Sequence, residues 1–330
     1  MDRIRTAAHL LKNGELVAFP TETVYGLGAN ALNHAAVEGI YVAKGRPVDN
    51  PIIVHLESFA QVASVCRQIP ASTGLLAETF WPGPLTLVLA AGPGVPRSVT
   101  GGLNTVAVRV PDHPVALALI REAGCPVAAP SANLSGRPSP TRASHVLQDL
   151  HGRIAAVLDG GDCRVGLEST VLDITGDIPR ILRPGGVTLE DLKSVLPQVL
   201  PPPVGFTGQA PPSPGMKYRH YAPRAPLFLL EGEAGRVRQE LLKLWATHRQ
   251  KGLKVGLFLS SPLESGETPW LAFHFKDAAW AAAHLFAELR HMDEAGADII
   301  LVEGISEAGL GMAVMNRLRK AAGKNILTWG

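Results

Sequence analysis

The chain reads as an α/β protein of two domains: a twisted mixed sheet with helices, followed by a small doubly wound, Rossmann-like α/β domain. Three observations predict this. Helix and strand signals alternate through the first two thirds, with many short apolar runs of strand length. A proline-dense stretch interrupts the pattern between Pro197 and Pro214. Beyond it the alternation resumes in the simple form that parallel crossovers require. Length agrees, since 330 residues exceed what one core usually fills.

In order, residues 3–12 read as a helix stopped near Gly14, and 16–19 as the first strand, an apolar run of buried type. Residues 35–43 are helical, 52–55 a strand and 59–68 a helix. TLVLAA at 86–91 and VAVRV at 106–110 are β-rich, and 114–123 is a helix. Strands at 126–129, 155–158, 169–173 and 181–183 complete the first domain, assigned to residues 1–200. Pro201, Pro202, Pro203, Pro211 and Pro212, with Gly205 and Gly208, preclude helix or central strand, so 201–225 is a semi-rigid linker. The second domain, 226–330, runs strand 227–230, helix 235–248, strand 254–260, edge strand 271–275, long helix 277–295, strand 299–302 and closing helix 312–322.

Composition narrows the function. Apolar residues make up 46% and charged ones 18%, which suits a globular protein with ample core. The net charge is +2 and the basic residues are scattered, so no stripe for stable nucleic-acid binding is visible. Cys66, Cys125 and Cys163 are odd in number and far apart, which fits neither a disulfide scaffold nor a zinc site and suggests a reducing compartment. MDRIRTAAHLLKNGE carries charges where a signal peptide needs an apolar core, and no run of about 18 apolar residues follows. A cytoplasmic protein with no membrane partner is expected. Phosphate-loop, HExxH, CxxC, GxSxG and complete GxGxxG patterns are missing, so nucleotide chemistry would need a non-standard site.

Such a site is suggested by PTETVYGLGANA at 20–31 and KGRPVDNPIIVH at 44–55. Hydroxyls, glycines and fixed cations within about 30 residues complement phosphate and carboxylate oxygens. Thr21, Thr23 and Tyr25 precede glycines that permit close ligand approach; an ordinary strand-to-loop turn explains them equally well. Lys44 and Arg46 fit either a helix-end cation pair or a triphosphate clamp stiffened by Pro47 and Pro51. FWPGPLTLVL at 80–89 reads as a packed corner. Arg109 shares a strand face with Thr105 and Ala107; small neighbours make a concave floor under a guanidinium fork, although an open, solvent-facing strand would also hold an arginine. APSANLSGRPSPT at 129–141 threads hydroxyls among prolines, and GLEST at 166–170 and ILRPGGVT at 181–188 add Ser169 and Arg183. SPGMKYRHYAPRAP at 213–226 is denser in Lys217, Tyr218, Arg219, His220 and Tyr221 than a spacer requires.

Together these motifs, and the MNRLRKAAG ending, resemble the L-threonylcarbamoyl-AMP synthase family in its two-domain form, a YrdC-like domain joined to a C-terminal domain. The resemblance spans essentially the whole chain. It implies that L-threonine, bicarbonate and ATP yield threonylcarbamoyl-AMP and pyrophosphate, for N6-threonylcarbamoyladenosine formation in tRNA. It assigns Thr23, His55, Arg109, Ala129 and Ser169 to L-threonine, and Arg46, Asn50, Thr105, Ser131, Ser139, Arg183 and Tyr221 to ATP. Lys44, Arg46 and Arg183 become the catalytic cations, and Lys217, His220 and Tyr221 part of a linker lid. Mg²⁺ is expected to be carried by phosphates rather than by side chains. Transient contact with the tRNA threonylcarbamoyl transferase machinery is implied. An RNA-binding module, or a carbamoyl transferase with an embedded YrdC-like domain, stands as the alternative.

Overall fold

The computed structural model describes residues 2–203, 220–263 and 268–329. The chain divides into two compact units between residues 203 and 220, the second also taking in Gly136–Pro138.

The first unit holds a ten-stranded mixed sheet. Its strands are β1 (Val17–Phe19), β2 (Gly26–Asn30), β3 (Ile53–His55), β4 (Cys66–Gln68), β5 (Leu85–Ala91), β6 (Thr105–Arg109), β7 (Val127–Ala128), β8 (Ala156–Val157), β9 (Thr170–Asp173) and β10 (Arg180–Arg183). The order is β10-β9-β5-β6-β3-β7-β2-β1-β8, with β4 attached to β5. Alternation sends Leu85, Leu87 and Leu89 of β5, with Val106 and Val108 of β6, into the main core beside Val37 and Ile40 of the helix His34–Lys44. At the far end of the sheet Val17, Phe19 and Val127 pack against the helices Asp2–Lys12 and Pro114–Ala123.

Two stretches depart from expectation. Gly26–Asn30 is a strand, not a loop, because its glycines allow close pairing with β1. The expected helix over 59–68 is a 3₁₀ turn (Phe59–Gln61), a four-residue helix (Val62–Val65) and then β4. The projecting end of β5 explains the switch: Cys66 pairs with Ala91, and the Gly92 amide donates to the Val65 carbonyl at 2.7 Å. Tertiary pairing overrides the local helical pattern.

The second unit is a parallel sheet of β11 (Leu227–Gly232), β12 (Val255–Leu259), β13 (Leu271–His274), β14 (Ile299–Glu303) and β15 (Ile326–Trp329), in the order β13-β12-β14-β11-β15. The helix Ala234–Gln250 packs Val237, Leu241 and Trp245 against Leu257 and Leu301. The helix Ala278–Glu294 covers the other face, where a Cβ on Gly256 would meet the Met292 sulfur at 2.6 Å. β13 is an edge strand as predicted. β15, at the opposite edge, is an addition.

Candidate active site

Register assembles the site. His55 of β3 pairs with Arg109 of β6. Carrying the β5–β6 register one step beyond Leu87 and Val108 sets Thr86 opposite Arg109. Thr86 pairs with Val171 of β9, and Val171 with Arg183 of β10. Cross-strand partners share a face, so His55, Arg109, Thr86, Val171 and Arg183 form one row roughly 19 Å long at the usual strand spacing. Beside it Ile53, Val88, Ala107 and Leu182 join Val171 in a small apolar cluster that floors the row. Ala107, on the same face as Arg109, belongs to this cluster, and Thr105 does not.

Next to the β3 end of the row, Arg109 is only 3% exposed, so its charge needs partners. Its Nη2 forms an ion pair with the Glu22 carboxylate, itself buried. Nη1 donates to the Thr23 hydroxyl at 2.9 Å and Nε to the Gly83 carbonyl at 3.1 Å. The other Glu22 oxygen accepts the Asp112 amide at 3.1 Å. Thr21 satisfies the turn, donating to the Val24 carbonyl at 2.6 Å and accepting the Thr23 amide at 3.2 Å. The two readings of the threonines thus divide: Thr21 serves its own backbone and Thr23 faces the guanidinium. His55 is buried, with Phe19 edge-on at 6.0 Å. Burial, reinforced by Arg109, pushes its pKa down to about 3, so the imidazole is neutral at physiological pH. Its Nδ1 has no hydrogen-bond partner among the described residues.

At the β10 end, Arg183 wraps Ser169. Its Nη2 donates to the Ser169 carbonyl at 2.9 Å and hydroxyl at 3.2 Å, and Nε to the same carbonyl at 3.2 Å. The Ser169 hydroxyl also meets Thr86 Oγ1 at 2.7 Å. Gly185 lets the turn after Arg183 approach this segment, since a Cβ there would fall 2.3 Å from the Glu168 carbonyl.

The 129–141 stretch is pinned rather than loose. The Ala129 amide donates to Ile53 at 2.9 Å, the Pro130 carbonyl accepts Leu27 at 2.8 Å, and Ser131 bridges to Gly26. Lys44, at the end of its helix, is buried and turns its ammonium onto the Ser131 and Asn133 carbonyls, the latter at 2.5 Å. The Ser131 hydroxyl reaches Asn133 Oδ1 at 2.5 Å. Arg46 donates to the Pro51 carbonyl at 2.9 Å and, more weakly, to that of the buried Asn50 at 3.3 Å. Ser139 donates to Glu168 Oε1 at 2.5 Å, both groups buried. Thr105 is half-buried at the opposite end of β6 from Arg109, paired with Ala90.

Thr23, His55, Arg109, Ser169 and Arg183 therefore belong to one row or touch it, whereas Lys44, Ser131 and Asn133 form a second cluster. Lys217 lies outside the described residues. His220 and Tyr221 belong to the second unit, where the Tyr221 ring, 5% exposed and at φ +64°, stacks on Phe286 at 5.2 Å beneath the Arg317 guanidinium. Sequence reasoning passed over Glu22, Thr86 and Glu168. Each had a signal: Glu22 lies inside TETVYGLG, Thr86 alternates with Val88 along β5, and Glu168 precedes Ser169 in GLEST.

Residues 9–185 match the Sua5/YciO/YrdC family model, which carries the description "Telomere recombination". Residues 187–323 match the model for the threonylcarbamoyl-AMP synthase C-terminal domain. The threonylcarbamoyl-AMP synthase of Pyrococcus abyssi is 50% identical over 98% of this chain and 95% of its own length. That of Bacillus subtilis is 48% identical, over 98% and 94% respectively. The crystal structure of P. abyssi Sua5 complexed with L-threonine superposes with a TM-score of 0.94, covering 99% of this chain and 96% of that one. With the matches running through both units, the chain belongs to the threonylcarbamoyl-AMP synthase family.

Proposed function

We propose that this chain is an L-threonylcarbamoyladenylate synthase. It takes L-threonine, bicarbonate and ATP to threonylcarbamoyl-AMP, pyrophosphate and water, and the product serves N6-threonylcarbamoyladenosine formation in tRNA. The observation that carries the reading is the cross-sheet row, which sets Arg109, Thr23 and neutral His55 at one end and Ser169 with Arg183 at the other, over an apolar floor. The P. abyssi relative crystallised with L-threonine supports it.

The chemistry asks for alignment and charge neutralisation more than for covalent help. The threonine amine adds to carbon dioxide, losing a proton, and the resulting carbamate oxygen attacks the α-phosphorus while pyrophosphate leaves. Arg109 offers N–H donors to the threonine carboxylate, with the Thr23 and Ser169 hydroxyls and the His55 imidazole completing polar contacts. Arg46, Arg183 and Lys44 offset triphosphate charge, and Asn50, Thr105, Ser131 and Ser139 line the nucleotide. The donor set around Ser131 and Arg183 is one of cations and hydroxyls, which suits phosphate oxygens. Mg²⁺ would accordingly bind through the triphosphate and supply further neutralisation. The labile product would pass to the tRNA threonylcarbamoyl transferase machinery. Pyrophosphate release should require threonine and bicarbonate together. Equal release with threonine omitted would overturn the assignment.

A further inference from the structure

Glu22 is the one acidic partner of Arg109 among the described residues, and its place in the reaction is unassigned. It is 2% exposed, ion-paired to Arg109 through one oxygen and held by the Asp112 amide at 3.1 Å through the other. Its backbone carbonyl accepts the Val165 amide at 2.7 Å, so the backbone is held as well as the carboxylate. A buried arginine could have been left for the substrate carboxylate alone. Here it is already matched.

We propose that Glu22 is a specificity-determining residue: it makes the amino-acid end of the row electrically neutral, so that this end accepts a zwitterion and refuses a simple anion. The inference rests on the reading that L-threonine occupies this end. The balance is explicit. Arg109 contributes one positive charge, Glu22 one negative charge and His55 none, because burial keeps its imidazole unprotonated. Arg183 stands three strands further along, roughly 14 Å away at ordinary strand spacing, where it is engaged by the Ser169 carbonyl and hydroxyl. A zwitterionic amino acid adds no net charge to this buried end. A monoanion adds one in a medium of low effective dielectric, where Glu22 repels it while Arg109 attracts it. Two anions crowd this reaction, bicarbonate and the ATP triphosphate, and a bare arginine would attract both. Glu22 lets Arg109 act as a directional donor without acting as a general anion trap.

The test compares calorimetric affinities for L-threonine and for (2S,3R)-2,3-dihydroxybutanoate, which replaces the ammonium by a hydroxyl and is a monoanion at pH 7.5. In the native full-length chain threonine should bind about 100-fold more tightly, since an unbalanced buried charge is costly. In Glu22→Gln the ratio should narrow by about tenfold, because the repelling charge is gone while the side-chain shape is kept. In Glu22→Asp both ligands should weaken with the native ratio retained. An unchanged ratio in Glu22→Gln, with both affinities falling together, would show that the ion pair only supports the fold. Should Glu22→Gln not fold, the native chain still decides: dihydroxybutanoate binding within threefold of threonine would overturn the proposal. No threonine binding by the native chain would instead overturn the functional reading beneath it.

Discussion

His55 occupies the C-terminal position of a three-residue strand, and its burial has a measurable cost. The folded-state pKa of about 3 lies below the ordinary value near 6.5, so between those limits the unfolded chain binds more protons than the folded one. Stability therefore rises with pH across that window and is lost as pH falls through it. In His55→Gln one such proton uptake disappears. The stability advantage of the native chain over the variant should be constant above pH 7 and shrink by about 2 kcal/mol by pH 5, measured by urea unfolding. A difference independent of pH would mean that His55 is not held neutral. At this scale the sequence was legible wherever a polar residue broke a pattern, as Arg109 does inside TVAVRV. It was less legible where the polar residue hid beside a better-known one. Glu22 sits between two threonines and Thr86 inside an apolar run, and only the folded structure shows that Glu22 meets Arg109 and Thr86 meets Ser169.

Elements were foreseen where their periodicity was clean and missed where it was not. The helices Pro114–Ala123, Ala234–Gln250 and Ala278–Glu294 follow their periodicity, while Ala71–Phe80, Ala143–Leu150 and Leu189–Val195 escaped notice. Ala71–Phe80 contains Gly74 and two threonines, which blur a helical signal. β2 was hidden by its own glycines, which strands ordinarily avoid. Here they are demanded by close packing: a Cβ on Gly28 would lie 2.9 Å from the Phe19 ring, 3.0 Å from Val127 and 3.2 Å from the Val17 carbonyl. Gly28→Ala should cost about 1–3 kcal/mol, because the atoms that must yield belong to a buried ring, a buried valine and backbone. It should also weaken threonine binding, since Phe19 is the ring set edge-on against His55. Thermal unfolding and threonine titration check both effects, and a variant as stable as the native chain would show that β2 has room to relax.

At the scale of the molecule, the two-domain reading came from one proline-dense break, and the cores agree with it. Among the described residues, the core clusters of the first unit end at Val199, and the cluster around Leu230 and Trp245 is built from residues beyond the break. A chain ending at Pro203 should therefore unfold cooperatively on its own and bind threonine within about threefold of the full chain, because the residues of the row all precede the break. Loss of cooperative unfolding would show that the first unit depends on the second. No described helix is long and apolar enough to cross a membrane. The cross-sheet row also bears on how the protein is made. Its members are spread from position 55 to position 183, and Arg183 sits on the last strand in sequence of the first unit's sheet. A ribosome delivering the N-terminus first exposes Thr23, His55 and Arg109 long before Arg183 and Ser169 can close the sheet beside them. During that interval Arg109 and Glu22 can pair with each other, but the row has no far end. Threonine binding cannot guide early folding; the nascent chain must first pair strands as far apart in sequence as those of Thr86 and Val171, a slow, non-local step.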